Sequence, residues 1–253
     1  MNLRSGVYSL HKAGSAIEDN EDKYALPLVG DAGNGTTQFV CALSDGATEM
    51  SYSALWAELI ATGFCESKGS IDEFERILPD IRKQWITRTS KPDLPWYAEQ
   101  KLALGAFATL LGLKIEESDN SEELVFTSYA VGDTCLFHIR NAALIASFPA
   151  TNHHQLLNRP LLLPSRYDSR DNLADMVKVE TAGFMKGDRL ILATDAVSGW
   201  IFSEVERGGA PFIELDRVIR SELEFAAWIS ALRGEAKIKN DDCTIIWIDS
   251  EYP

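Results

Sequence analysis

Residues 39–46 read FVCALSDG, an apolar run that ends in an aspartate and a glycine. Such a run predicts a buried strand that carries the Asp45 carboxylate to its own C-terminal end. Gly46 lets the backbone turn sharply or lets a ligand approach the main chain closely. A helical stretch begins near Ser51, so the carboxylate is predicted to stand where a strand gives way to a helix.

The same design recurs at two later points of the chain. Residues 190–195 read LILATD and residues 128–133 read SYAVGD, which places Asp195 and Asp133 at predicted strand ends. A single aspartate at such a point is most simply a turn residue or a helix cap. Several together predict a site for a hard divalent cation, which prefers oxygen ligands. The other candidate carboxylates belong to acidic pairs near the two ends of the chain, Glu21, Asp22, Asp241 and Asp242.

The composition limits the classes of partner. The chain of 253 residues is 45% hydrophobic and 25% charged, which suits one large domain or two small ones. It has no repeat, low-complexity tract or evident linker, and we therefore expect residues 1–253 to form a single domain. The net charge of -14 argues against nucleic acid and anionic membranes, because both need clustered lysine and arginine. A phosphorylated ligand is still compatible, since bound cations would reverse the local field.

The cysteines and the N-terminus bear on the cellular compartment. The four cysteines form no C-x-x-C pair, and three of them, Cys41, Cys135 and Cys243, lie in apolar strand-like runs. Buried free thiols are the expected interpretation. The N-terminus lacks the apolar core of a signal peptide, and no apolar run is long enough to span a bilayer. We therefore expect a cytoplasmic protein.

Strands joined by hairpins dominate the predicted secondary structure. Residues 107–115 and 124–131 predict one hairpin with an acidic turn, and residues 136–140 and 142–148 predict another that turns at Asn141. The helices fall in pairs and do not alternate strictly with strands. This order favours an antiparallel α+β layered fold over a doubly wound parallel sheet.

Local signals also fix some helix ends and one irregular segment. Capping boxes predict helix starts at Ser70 and Ser221. Pro79 is expected to kink or divide the first of these helices. Residues 149–178 are irregular and polar, which is typical of a flap near a site.

Six short motifs together carry a resemblance to a known family. In chain order they are NED at 20–22, SDG at 44–46, GAFAT at 105–109, VGDT at 131–134, ATD at 193–195 and NDDCT at 240–244. In this order, and over nearly the whole chain, they resemble the metal-dependent protein phosphatase family, the protein phosphatase 2C-like one. The stretch from Phe148 to Leu163 also resembles a loop of a bacterial branch of that family. The resemblance implies a four-layer α-β-β-α sandwich of two antiparallel sheets flanked by helix pairs.

The resemblance also implies an activity. It is that of a metal-dependent serine/threonine phosphoprotein phosphatase, in which a metal-bound hydroxide is the nucleophile and no serine or cysteine nucleophile is needed. The implied cofactors are two Mg²⁺ or Mn²⁺ ions, with a third at a weaker site. The implied partner is a phosphorylated protein substrate, and the implied setting is signalling by dephosphorylation.

Residue roles follow from the same resemblance. The implied metal-binding residues are Glu21, Asp22, Asp45, Gly46, Asp133, Asp195 and Asp241. Asp45 would bridge both main ions, and the Gly46 carbonyl would bind one of them. Asp195 and Asp241 would hold the other ion, and Asp133 the weaker third one. Glu21 or Asp22 would complete the outer shell, partly through water. Asp45, Asp195 and Asp241 are thus the implied catalytic residues.

The chain departs from the family pattern at the positions that bind the substrate phosphate. The position of the family's phosphate-binding arginine is occupied by Ile17, which cannot bind an oxyanion; Lys12 or Arg4 would have to substitute. Residues 47–50 read ATEM in place of a glycine-rich turn, and Asp242 stands where asparagine is common. The metal-binding set is thus retained while the substrate grip is altered.

These departures leave alternatives open. One is a pseudophosphatase, a binding or regulatory module that kept the fold and lost turnover. Another is a phosphatase for a small phosphorylated molecule. Metal binding measured beside turnover separates the first alternative from the enzyme, and a substrate panel separates the second.

Overall fold

The computed structural model describes residues 2–26, 38–47, 52–90, 100, 102–118, 124–156, 159–166 and 172–251. Within these ranges the strands are β1 (Asn2–Leu10), β2 (Asp22–Ala25), β3 (Gln38–Asp45), β4 (Phe107–Ala108), β5 (Leu110–Glu117), β6 (Leu124–Val131), β7 (Cys135–Arg140), β8 (Ala143–Phe148), β9 (Leu163–Pro164), β10 (Lys178–Phe184), β11 (Asp188–Ala193) and β12 (Cys243–Glu251). The helices are α1 (Ser53–Glu66), α2 (Ile71–Thr89), α3 (His153–Leu156), α4 (Leu173–Met176), α5 (Asp195–Glu206), α6 (Pro211–Val218) and α7 (Glu222–Gly234).

The strands form two large antiparallel sheets. The first has the order β1-β12-β11-β7-β8, and the second has the order β10-β6-β5-β3-β2. Neighbouring strands in both sheets run antiparallel, and β4 pairs with β9 in a small separate ladder. The expected α+β fold built on antiparallel sheets is therefore confirmed.

Alternation along β3 shows how the layers stack. Phe39, Cys41 and Leu43 belong to a core that also contains residues of β11 and β12 from the other sheet. Val40 and Ala42, on the opposite face, pack in a second core with α1 and α2. A third core joins α5, α6 and α7 to β7, β11 and β12. Because successive strand residues face opposite sides, these cores place the sheets face to face with helices outside.

Both predicted hairpins are present. β5 pairs with β6 along its whole length, and β7 pairs with β8 around a turn at Asn141 and Ala142, which both have positive φ. Part of the acidic turn of the first hairpin, residues 119–123, lies outside the described residues.

The helix signals are confirmed in part. The side chains of Ser70 and Ser221 each accept the expected N-terminal hydrogen bond. Pro79 does not divide α2, because the helix runs unbroken from Ile71 to Thr89, and the alternative of a kink at Pro79 stays a prediction. Phe74 and Trp85 on the apolar face of α2 are fully buried, and this packing outweighs the lost backbone hydrogen bond.

Helix length and hydropathy bear on membrane association. No helix in the described ranges combines the length and the apolar character that a membrane crossing demands.

Candidate metal centre

Pairing of β2 with β3 brings the first two acidic motifs together. Asp22 and Asp45 are direct partners in this antiparallel ladder. The Gly46 N–H donates to the Glu21 carbonyl at 3.3 Å. A Cβ at residue 46 would lie 2.8 Å from the main-chain carbon of Ser53, so the start of α1 requires glycine here. The strand end that carries Asp45 is thus held against both Glu21 and α1.

The next two motifs fix the main chain of Asp45. Its N–H donates to Thr109 Oγ1 at 2.8 Å, and the Thr109 N–H donates to the Asp45 carbonyl at 2.8 Å. The Thr109 and Thr134 hydroxyls lie 2.7 Å apart, within a buried hydrogen bond. The Ser44 hydroxyl donates to the Thr109 carbonyl at 2.6 Å. These contacts explain why small hydroxyl residues recur beside the acidic motifs.

The other sheet reaches the same place through Asp22. The Thr194 hydroxyl, next to Asp195 at the start of α5, donates to Asp22 Oδ2 at 3.0 Å. The Thr244 N–H in β12 donates to Thr194 Oγ1 at 3.0 Å. Asp22 is only 3% exposed, so its carboxylate lies inside the junction between the two sheets.

Asp242 accepts hydrogen bonds from two main-chain N–H groups. Its Oδ1 accepts the Lys12 N–H at 2.7 Å, and its Oδ2 accepts the Glu21 N–H at 2.7 Å. Both carboxylate oxygens are thereby committed. Asp242 therefore fixes the positions of Lys12 and Glu21, a role that the sequence pattern did not reveal.

The electrostatics show mutual repulsion among the carboxylates. Burial raises the pKa of Asp45 well above its usual range, and the charges of four neighbours, Asp22, Asp195, Asp133 and Asp241, raise it further. Burial raises the pKa of Asp22 to about 8, with Asp242 and Asp195 adding to the rise and two threonine hydrogen bonds opposing it. Burial, with the charge of Asp195, raises the pKa of Asp133 to about 6. Such a set favours the binding of cations.

Unpartnered oxygens test whether the residues suit a divalent ion. Glu21 Oε2, Asp22 Oδ1 and Asp195 Oδ1 are buried and accept no hydrogen bond from any residue that the structure describes. Burying a carboxylate oxygen without a donor is costly, and a hard cation would satisfy it. Within the described ranges, however, no three acidic, histidine or cysteine side chains already have the arrangement that holds a metal ion. The chemistry of these residues nevertheless fits a divalent ion, because they are neighbouring carboxylates whose oxygens a cation would satisfy.

Two lysines lie against this acidic cluster. Lys239 Nζ lies 3.1 Å from Asp195 Oδ2 and 2.6 Å from Asp241 Oδ2. Lys12 Nζ lies 3.8 Å from Glu21 Oε2. Sequence reasoning missed Lys239, although a basic residue two positions before Asp241 in an acidic chain was an available signal.

The structure separates the two substitutes considered for the missing arginine. Ile17 is 74% exposed and offers no charge. Arg4 stands six residues before the end of β1 at Leu10, which corresponds to about 20 Å along the strand from the acidic cluster. Lys12 follows that strand end and contacts Glu21, so it is the better placed of the two. Residues 48–50 of the altered turn lie outside the described residues.

Comparison with known proteins identifies the fold. No protein-family model and no curated protein sequence matches the chain. The structure is similar to the serine/threonine phosphatase PstP of Mycobacterium tuberculosis, with 16% identity, coverage of 99% of each chain and a TM-score of 0.60. It is similar to RsbX in complex with magnesium, with 19% identity, coverage of 97% and 94%, and a TM-score of 0.53. A bacterial serine phosphatase gives 12% identity, full coverage of both chains and a TM-score of 0.63. The chain has the protein phosphatase 2C-like fold of bacterial phosphatases.

Proposed function

We propose that this chain, which has the protein phosphatase 2C-like fold, is a Mg²⁺- or Mn²⁺-dependent phosphatase that hydrolyses phosphoserine or phosphothreonine in proteins. The observation that carries the proposal is the position of the partly buried Asp45 near four other aspartates, which come from distant parts of the chain and whose charges raise its pKa. It is supported by the buried oxygens of Glu21, Asp22 and Asp195 that accept no hydrogen bond from the described residues.

The residues that would hold the ions are those implied by the motifs. They are Glu21, Asp22, Asp45, Gly46, Asp133, Asp195 and Asp241. Divalent ions bound there would supply Lewis-acid activation of water and neutralise charge on a phosphoryl group. Among them, Asp45, Asp195 and Asp241 are the proposed catalytic residues.

The chain itself contributes positioning and charge. Thr109 anchors the main chain of Asp45 from both sides, and Asp242 anchors that of Glu21. Lys12 supplies a cation beside Glu21, where it would attract a phosphate dianion. Preorganised groups of this kind lower the cost of arranging the site during the reaction.

The choice of substrate class draws on the comparisons. PstP, with a TM-score of 0.60, is a serine/threonine phosphatase, and one of its structures is a complex with two manganese ions. A phosphoprotein substrate for the present chain is a proposal by analogy with that protein. Its test compares phosphoserine, phosphothreonine and phosphotyrosine peptides with small phosphate esters, with Mn²⁺ and with EDTA. Hydrolysis of the first two peptides alone would support the proposal, and hydrolysis of small esters alone would contradict it.

A pseudophosphatase is the second candidate. The exposed Ile17, which offers no charge to a phosphate, favours it. Binding of Mn²⁺ and phosphopeptide without phosphate release would identify this case.

A further inference from the structure

A cavity of about 360 Å³ lies beside the acidic cluster. The residues that line it include Asp133, Arg159 and Lys178. Volumes of this size are typical of sites that take a small ligand or one or two side chains. Because Asp133 is also one of the residues proposed to bind a metal ion, the cavity adjoins the proposed metal centre.

The fold sets the positions of both cations. Lys178 begins β10 and pairs with Ala130 of β6, three residues before Asp133. Arg159 follows α3, in the irregular segment that was expected to form a flap near a site. The two cations thus reach one cavity from separate parts of the chain.

Both cations are available to a ligand. Each is exposed, and neither forms an ion pair or a side-chain hydrogen bond with any residue in the described ranges. The chain has 24 lysine and arginine residues against 38 acidic ones, so most basic side chains have acidic groups available as partners. Two cations that line one cavity without such a partner among the described residues are therefore unusual. An arginine fork and a lysine ammonium bind carboxylate or phosphate oxygens through charge-assisted hydrogen bonds.

The remaining wall suits the stem of a side chain. Leu161, which is 64% exposed, and the partly exposed Met176 line the same cavity. An anionic head with a short apolar stem, such as that of glutamate, would match both parts of the lining.

We propose that this cavity binds an anionic residue that neighbours the phosphorylated residue of a peptide substrate. This inference rests on the proposed function, because it assigns the flanking specificity of the same site. Arg159 and Lys178 contact the anionic head, and Asp133 marks the side that faces the metal centre.

The test uses phosphoserine peptides that carry Glu, Gln or Lys at positions near the phosphoserine, with Mn²⁺ present. We expect wild-type kcat/KM and peptide affinity to favour Glu over Lys by about tenfold, as one or two charge-assisted hydrogen bonds would give. The double variant Arg159→Gln/Lys178→Gln should lose this preference while hydrolysing an aryl phosphate at the wild-type rate. A second phosphoserine in place of Glu tests whether phosphate is taken equally well.

A matched control is Lys83→Gln/Arg217→Gln, which removes the same charge from exposed positions on α2 and α6. It should keep the preference. Equal handling of Glu and Lys peptides by wild type, or an unchanged preference in Arg159→Gln/Lys178→Gln, would overturn the inference. Peptide affinity measured by fluorescence anisotropy needs no turnover, so absence of hydrolysis would count against the proposed function and leave the cavity's selectivity measurable.

Discussion

Asp22 and Asp45 lie directly opposite each other in the antiparallel ladder of β2 and β3. Like charges at opposed positions destabilise a sheet. Here burial raises the pKa of both carboxyl groups, and each lies close to further aspartates. The arrangement is unfavourable for the protein alone and favourable for a cation, which is the physical reason to regard this junction as a metal centre.

The stability of the metal-free protein is expected to fall as pH rises. Burial raises the pKa of Asp22 from an ordinary 3.8 to about 8, so the folded state binds more protons than the unfolded state between these values. This contribution is complete below pH of about 4 and is lost as pH rises through about 8, with a slope of at most about 1.4 kcal/mol per pH unit. Asp133 acts in the same direction up to pH of about 6.

Urea unfolding in EDTA at pH 5 and pH 8 measures this effect. Asp22→Asn should reduce the difference between the two pH values, because the side chain no longer titrates. Since other acidic groups also respond to pH, the comparison of variant with wild type is the informative quantity. An identical pH dependence in both proteins would contradict the assigned role of Asp22.

Lys239 is expected to compete with a divalent ion. Its ammonium lies between Asp195 and Asp241, which are proposed ligands of one ion. Lys239→Gln should therefore strengthen Mn²⁺ binding, by about tenfold at low salt. Lys237→Gln is the matched control, because Lys237 pairs with Glu235 at 2.7 Å instead. Calorimetric titration of both variants gives the answer, and weaker binding in Lys239→Gln would show that the lysine assists the metal.

Lys12 is expected to hold the substrate phosphate. Lys12→Gln should lower kcat/KM for a phosphopeptide by roughly tenfold or more and weaken inhibition by inorganic phosphate, since one charge-assisted contact is lost. Arg4→Gln should change both little, because β1 carries Arg4 away from the cluster. The reverse ranking of these two variants would remove Lys12 from the site.

Asp242 is expected to matter for stability. Asp242→Ala leaves the Lys12 and Glu21 N–H groups without their acceptor. Losing both should cost about 2–4 kcal/mol in the free energy of unfolding. Asp242→Asn keeps one acceptor oxygen and should lie between alanine and wild type. Urea unfolding measures the free energy of unfolding of each variant. A value for Asp242→Ala within about 0.5 kcal/mol of wild type would show that these two hydrogen bonds do not stabilise the fold.

Short sequence patterns predicted much of the secondary structure. The strand that ends at Asp45 and the pairings of β5 with β6 and of β7 with β8 follow from alternation and turn residues, which act over a few positions. The unbroken α2 did not follow from them, because burial of one helix face overrode the local effect of Pro79.

Contacts between segments that are distant in the chain could not be predicted from the sequence. Lys12 and Asp242 are 230 positions apart, and their hydrogen bond exists because β1 and β12 pair. The approach of Lys239 to Asp195 likewise depends on the pairing of β11 with β12, which brings the end of one strand beside the start of the other. Motif order predicted which carboxylates to consider, whereas only the fold shows that Asp242 is committed to main-chain groups.

Calorimetric titration of metal-free protein with Mn²⁺ tests the central claim most directly, because it reports ion binding independently of substrate. Wild type should bind two ions per chain. Asp45→Asn should lose most of this binding while remaining folded by circular dichroism, and Asp80→Asn, on the exposed side of α2, should bind as wild type does. Wild-type binding by Asp45→Asn, or no binding by wild type, would contradict the account.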